Sequence, residues 1–269
     1  MKSLYLCFIL SFTFGCSSSN SEQNYPEIDG DPNYRSDYSE GAVFFDYKEN
    51  MDRKEFIQEA KSLEYTDENG AFFKSTARID SAGNVGMLIL EQEQESKIDK
   101  DLFYYRNGNK IISLKSLTEF REDKNYYSQS ISFYSDSGTI LYTGTRKAND
   151  LDTLQEKRYL KSKNSVLSDK IPLQILNREG PFQTTFVGTA YSKEQEKSFL
   201  VVGATDRSFL ATLAIENLDN YFLKKLIRDE KKYFGTPLNI EFTNTAQTDG
   251  FTYQKLIDIE AAESAKSLD

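Results

Sequence analysis

Few side chains in this 269-residue chain can carry covalent or coordination chemistry. Histidine is absent, and the two cysteines are Cys7 and Cys16. Without imidazole there is no Ser-His-Asp or Cys-His nucleophile, no histidine general base and no histidine-ligated zinc or haem. The sequence holds no Gly-x-Ser-x-Gly elbow, no Ser-x-x-Lys pair and no glycine-rich phosphate loop. Carboxylates remain as candidate acids and bases, but 42 Asp and Glu offer many accidental pairs and no motif singles one out. The expectation is a protein that is not an enzyme and uses no cofactor. The net charge of −9 opposes nucleic acid as a partner, which would need a local basic footprint.

Cys16 has the most defined surroundings. A positive start at Met1-Lys2-Ser3 precedes an apolar run from Leu4 to Phe14, then Gly15-Cys16. That is the order of a secretory signal, and the run is well short of the roughly 20 residues a membrane-spanning helix needs. Thr13-Phe14-Gly15-Cys16 resembles the lipobox of bacterial lipoproteins, with Thr13 and Phe14 departing from the usual Leu and small residue. The resemblance covers the first sixteen residues. It implies removal of the leader, acylation of Cys16 and residence in a bacterial envelope, with Ser17 pointing to the outer membrane. The polar stretch from Ser17 to Asn24 reads as a tether. Cys7 would leave with the leader, so the remaining chain would have no free thiol, disulfide or cysteine metal site.

One spacing suggests a cation. From Asp29, oxygen side chains fall at positions 1, 3, 5, 9 and 12 as Asp29, Asp31, Asn33, Asp37 and Glu40. This is similar to an EF-hand calcium loop. Tyr34 stands where the turn glycine belongs and Pro32 lies inside the loop, so an acidic solvated turn is the plainer reading, with no metal held.

The elements that would position such groups are strand-rich. Residues 50–63 read as a helix, with Asp52 and Glu55 as a capping box and Phe56, Ile57, Ala60 and Leu63 on one face. Six strands then follow, at Ala71–Ile79, Val85–Glu91, Leu102–Arg106, Lys110–Leu117, Tyr126–Tyr134 and Thr139–Arg146. Turn sequences such as Glu68-Asn69-Gly70 and Arg106-Asn107-Gly108-Asn109 supply the positive φ of tight hairpins. The phrase Tyr104-Tyr105-Arg106-Asn107-Gly108-Asn109-Lys110, echoed from Phe133 to Gly138, is similar to hairpin repeats of bacterial envelope proteins.

After Phe182, three strands (Phe182–Tyr191, Phe199–Thr205, Phe209–Ile215) precede a helix that Asn217 could cap. Leu218, Phe222, Leu226, Ile227 and Tyr233 form its stripe. Strands Leu238–Asn244 and Phe251–Ile259 close the pattern. The order β-β-β-α-β-β resembles an OB-fold. The expected class is α+β: an antiparallel meander with a packed N-terminal helix, then a small OB-like unit. The expected division is signal 1–15, lipidated tether 16–40, meander domain 41–150, connector 151–180, OB-like domain 181–260 and tail 261–269.

Two features could form sites. Lys224, Lys225, Arg228, Lys231 and Lys232 could make a basic patch, or could simply complement the helix dipole. Tyr104, Tyr105, Tyr126, Tyr127 and Tyr134 could stack on a ligand, although alternation sends about half of such rings into the core. The leading expectation is a tethered, non-catalytic envelope lipoprotein that binds a protein or polymer. The alternatives are an OB-type binder of an oligosaccharide or oligonucleotide and a carboxylate-dependent hydrolase. Mass spectrometry of the mature N-terminus checks the address. A diacylated or triacylated Cys16 is expected, and Cys16→Ala should yield an unacylated chain. An unmodified terminus in the parent would refute it.

Overall fold

The computed structural model describes residues 35–122, 124–163, 166–246 and 252–262. Cys16, Asp29, Asp31 and Asn33 lie outside them. The molecule divides into two compact units. The meander unit comprises Gly30–Gln183 with Arg207–Ala211, and the C-terminal unit includes Thr184–Asp206 and Thr212–Asp269.

In the meander unit the elements run α1 (Gly41–Arg53), β1 (Gln58–Lys61), β2 (Tyr65–Asp67), β3 (Phe72–Ile79), β4 (Val85–Gln94) and β5 (Lys97–Arg106). They continue as β6 (Asn109–Glu119), β7 (Tyr126–Tyr134), β8 (Ile140–Ala148), α2 (Leu151–Glu156), β9 (Leu160–Lys161) and α3 (Lys170–Asn177). β3 to β9 pair with their sequence neighbours, all antiparallel. At the β5–β6 turn Asn107 and Gly108 both have positive φ, 52° and 79°, as a two-residue hairpin requires.

Alternation along these strands separates two faces. Met87, Ile89, Tyr104, Ile112, Leu114, Ile131, Phe133 and Tyr142 point to one face and form a core with Phe45 and Met51 of α1. Phe133 is its hub, stacking on Phe44 at 4.6 Å and meeting Phe45 edge-on at 5.4 Å. Tyr142 lies flat across its own strand because Gly144 has no side chain; a Cβ there would meet the Tyr142 hydroxyl at 2.2 Å. The hydroxyl thereby reaches Asp37 Oδ1 at 2.7 Å. A second aromatic group, formed by Tyr65, Phe73, Phe182 and Phe209, holds β2, β3 and the 3₁₀ turn Gly180–Phe182 together. Tyr65 also donates to the Phe182 carbonyl at 2.7 Å.

The C-terminal unit contains β10 (Thr185–Ser192), β11 (Lys197–Gly203), β12 (Phe209–Ile215), α4 (Tyr221–Arg228), α5 (Glu230–Tyr233), β13 (Leu238–Ala246) and β14 (Thr252–Ala261). β12 begins in the meander unit, where Phe209–Ala211 pair with β2. Its later part meets β14 in parallel, and β14 pairs antiparallel with β13. The start of β13 returns to β10 through a Thr185–Pro237 bridge and a bond from Leu238 N to Thr184 O of 2.9 Å. Glu216 joins three strands. It accepts from Tyr253 at 2.7 Å and lies 2.8 Å from Lys197 and 3.4 Å from Lys255. These donors, Lys197 first, hold its carboxyl down to about 2.

The expected α+β class is overturned. Half of the described residues are strand and about a fifth helical, so the chain is mostly β with few helices. The helix expected at 50–63 lies instead at Gly41–Arg53, and residues 58–61 form a strand on β3. The pattern misled because Phe56, Ala60 and Leu63 also suit a short strand with turns at each end, and pairing with β3 outweighs local spacing. Asn217 does not cap α4; it has φ of 54°. Asn220 caps it, accepting from Leu223 N at 2.9 Å. Consequently Leu223 and Leu226 are the buried positions and Ile227 faces outward.

Removing the hub ring should be costly. Phe133→Ala should destabilise the protein by about 3–5 kcal/mol, read as a lower urea midpoint. A change below about 1 kcal/mol would show that the ring does not organise this core.

Candidate functional site

The opposite face of the meander carries the groups with unusual chemistry. On β5, Asp99, Asp101 and Phe103 alternate onto it, so two carboxylates project beside one another. Across from them stand Leu90 and Gln92 on β4 and Lys115 and Leu117 on β6. Both carboxylates are buried, Asp99 at 5% and Asp101 at 7% exposure. Lys97 reaches Asp99 Oδ2 at 2.5 Å. Lys115 sits between the pair, 3.4 Å from Asp99 Oδ1 and 3.6 Å from Asp101 Oδ1. Neither Oδ1 accepts a hydrogen bond. Burial pushes the Asp101 carboxyl above its ordinary range; Lys115 opposes that rise and the Asp99 charge adds to it.

Hydroxyls extend this face across the neighbouring strands. β6 contributes Ser113, β7 contributes Ser128, Ser130 and Ser132, and β8 contributes Thr143, Thr145 and Lys147, all in register with Lys115 and Leu117. Ser132 and Thr143 share a 3.1 Å bond, and Ser113 meets the Tyr134 hydroxyl at 3.0 Å. Small β-branched and hydroxyl residues suit a strand exposed on one side. The described helices pack mainly elsewhere on this unit. α1 and α2 join the core of the other face, through Phe45 and Met51 and through an Arg146 bond to the Gln155 carbonyl. α3 packs on β3 and β4, where Leu176 meets Ala77, Leu88 and the β5 residue Phe103.

Tyr134 is also one wall of an open cavity of about 560 Å³, lined further by Asn109, Lys110, Asp136, Ile140 and Val166. Lys110 projects over the rings of Tyr134 and Phe103, at 5.0 and 5.6 Å. It donates to the Leu167 carbonyl at 3.1 Å and lies 3.6 Å from Asp169, which accepts from Tyr105. Charged and aromatic groups thus adjoin the row of hydroxyls, a combination able to donate to, accept from and pack against a polar polymer.

The structure places the sequence candidates unevenly. Of the calcium positions, Asp37 and Glu40 are described. Asp37 accepts from Lys161 N at 2.9 Å and from Tyr142, contacts that hold its carboxyl below the usual range. Glu40 accepts from Tyr38 at 3.3 Å. The Asp37 carboxylate is therefore engaged in fastening residues 35–37 to Tyr159, and Ser36 is fully buried there. Among the tyrosines, Tyr104 and Tyr134 are core, while Tyr105 lies on the second face against the α3 side. Sequence reasoning missed Asp99 and Asp101 because it began that strand at Leu102. The i, i+2 sequence Asp99-x-Asp101-x-Phe103 was the available signal.

No protein-family model matches this chain, and no curated protein or solved structure matches it.

The two buried carboxylates predict a pH signature. A raised Asp101 pKa means its contribution to stability is fully present below about 3.8 and is lost as pH rises through the raised value. Asn mimics the protonated form. Asp101→Asn should therefore match the parent's urea midpoint near pH 3 and equal or exceed it at pH 7. Lys115→Met should lose about 1–3 kcal/mol at pH 7, because both carboxylates lose a cation. An Asp101→Asn midpoint below the parent's at pH 7 would contradict this description.

Proposed function

We propose that the chain is a non-catalytic lipoprotein of a bacterial envelope, held by an acylated Cys16, which binds an envelope polymer on the hydroxyl face of β6–β8. The carrying observation is that face: Ser128, Ser130, Thr143 and Thr145 in register, with Lys115 and Lys147 in the same rows. Hydroxyls both donate and accept, so the face suits a partner rich in hydroxyl and amide groups, such as a glycan strand. A polymer engages many weak contacts in series, which a flat sheet can supply without a deep pocket. The expected outer-membrane tether would keep the face close to such a polymer.

A second reading, carboxylate-dependent hydrolysis, has one observation in its favour. Asp101 is raised by burial beside Asp99, and a carboxyl raised by burial can serve as a general acid.

The test uses the purified full chain in detergent, co-sedimented with insoluble polymer from a bacterial envelope. Thr145→Arg places bulk in the middle of the face and should weaken binding at least about tenfold with the melting temperature unchanged. Cross-linking to one protein, without sedimentation on the polymer, would overturn the polymer reading. Soluble fragments that the parent releases and Asp99→Asn or Asp101→Asn does not would favour the hydrolase.

A further inference from the structure

We infer that the outer side of α4 and α5 in the C-terminal unit is a docking surface for an anionic lipid bilayer. This uses none of the residues of the polymer face, so either proposal can fail alone. Between residues 219 and 232 the chain has five cations and three acids, in a protein whose net charge is −9. The three acids are engaged locally: Asp219 with Lys224, Asp229 with Arg228 at 2.9 Å, and Glu230 with the Thr189 hydroxyl. Leu223 and Leu226 are buried beneath the helix. Lys231 and Lys232 of α5 are exposed, as are Tyr221 at 75% and Ile227 at 44% on α4.

Helix-dipole complementarity accounts for cations in the last turn. It gives no reason for a tyrosine and an isoleucine to protrude among them. Apolar side chains rising between lysines are what an interfacial helix offers a membrane. The Tyr221 ring and Ile227 enter the headgroup region while the cations meet anionic headgroups. Lys225 already lies over the Tyr221 ring at 4.9 Å, so cation and ring present one continuous patch. A soluble polyanion would use the cations and leave the apolar groups in water, which is why the bilayer is the occupant that fits.

The test reads this helix alone. The full chain is reconstituted with vesicles of phosphatidylcholine, or of phosphatidylcholine with one-third phosphatidylglycerol, and amide exchange is followed over residues 221–233. Exchange should slow at least about fivefold with the anionic vesicles only. It should recover in about 1 M salt, where the screening length is near 3 Å. Lys231→Gln/Lys232→Gln should abolish the protection, and Tyr221→Ser, at an exposed position, should reduce it without lowering the melting temperature. Equal protection on neutral vesicles, protection by dextran sulfate but not by vesicles, or full protection in the lysine double variant would each overturn the inference.

Discussion

Everything in the meander unit depends on strict two-residue alternation held in register from β3 to β8. On β4 to β8 one set of alternate positions carries the aromatic and aliphatic residues that pack with α1. From β6 to β8 the other set is mostly hydroxyl and charged, with Leu117 among it. A slip of one residue between any two strands would exchange these sets, turning Phe133 and Ile131 out of the aromatic core and Ser130 and Ser132 into it. Phe133 makes such a slip expensive, since its ring contacts Phe44, Phe45 and Tyr142 together. The aromatic core therefore fixes the position of the opposite face.

That coupling explains how a face with little apolar content can be ordered. Ser113 is almost fully buried, yet its hydroxyl is satisfied by Tyr134. Asp99 and Asp101 are less well satisfied, each keeping an oxygen without a hydrogen bond next to one shared ammonium. Buried polar groups of this kind cost stability, and here they are carried by a sheet whose other side supplies the packing. The Asp37 contacts are different in kind. They fasten the chain at residues 35–37 to the β8–β9 region and use the carboxylate fully.

Much of this was legible in the residues. Tyr126–Tyr134 is a strand to the residue, and the Asn107-Gly108 turn does what its left-handed preference dictates. In the Tyr104-Tyr105 pair the rings part to opposite faces, as a period of two requires. The expected α+β class failed because nothing local reports how many distant segments pair as strands. That depends on pairings between distant segments, such as Phe209–Ala211 with β2. The helix at Gly41–Arg53 was hidden because its first residue follows Glu40, which makes no side-chain cap. Asp99 and Asp101 escaped notice because carboxylates mark strand ends in most sequences, whereas here β5 extends through them to Lys97.

The central claim is that the hydroxyl face of β6–β8 receives the partner while the α1 face does not. Lysine acylation footprinting of the chain, free and bound to insoluble envelope polymer, tests it most directly. Lys115 and Lys147 lie on the hydroxyl face, and Lys74 and Lys100 project from the opposite one. Binding should protect Lys115 and Lys147 and leave Lys74 and Lys100 as reactive as before. Protection of Lys74 and Lys100, with Lys115 and Lys147 unchanged, would contradict it.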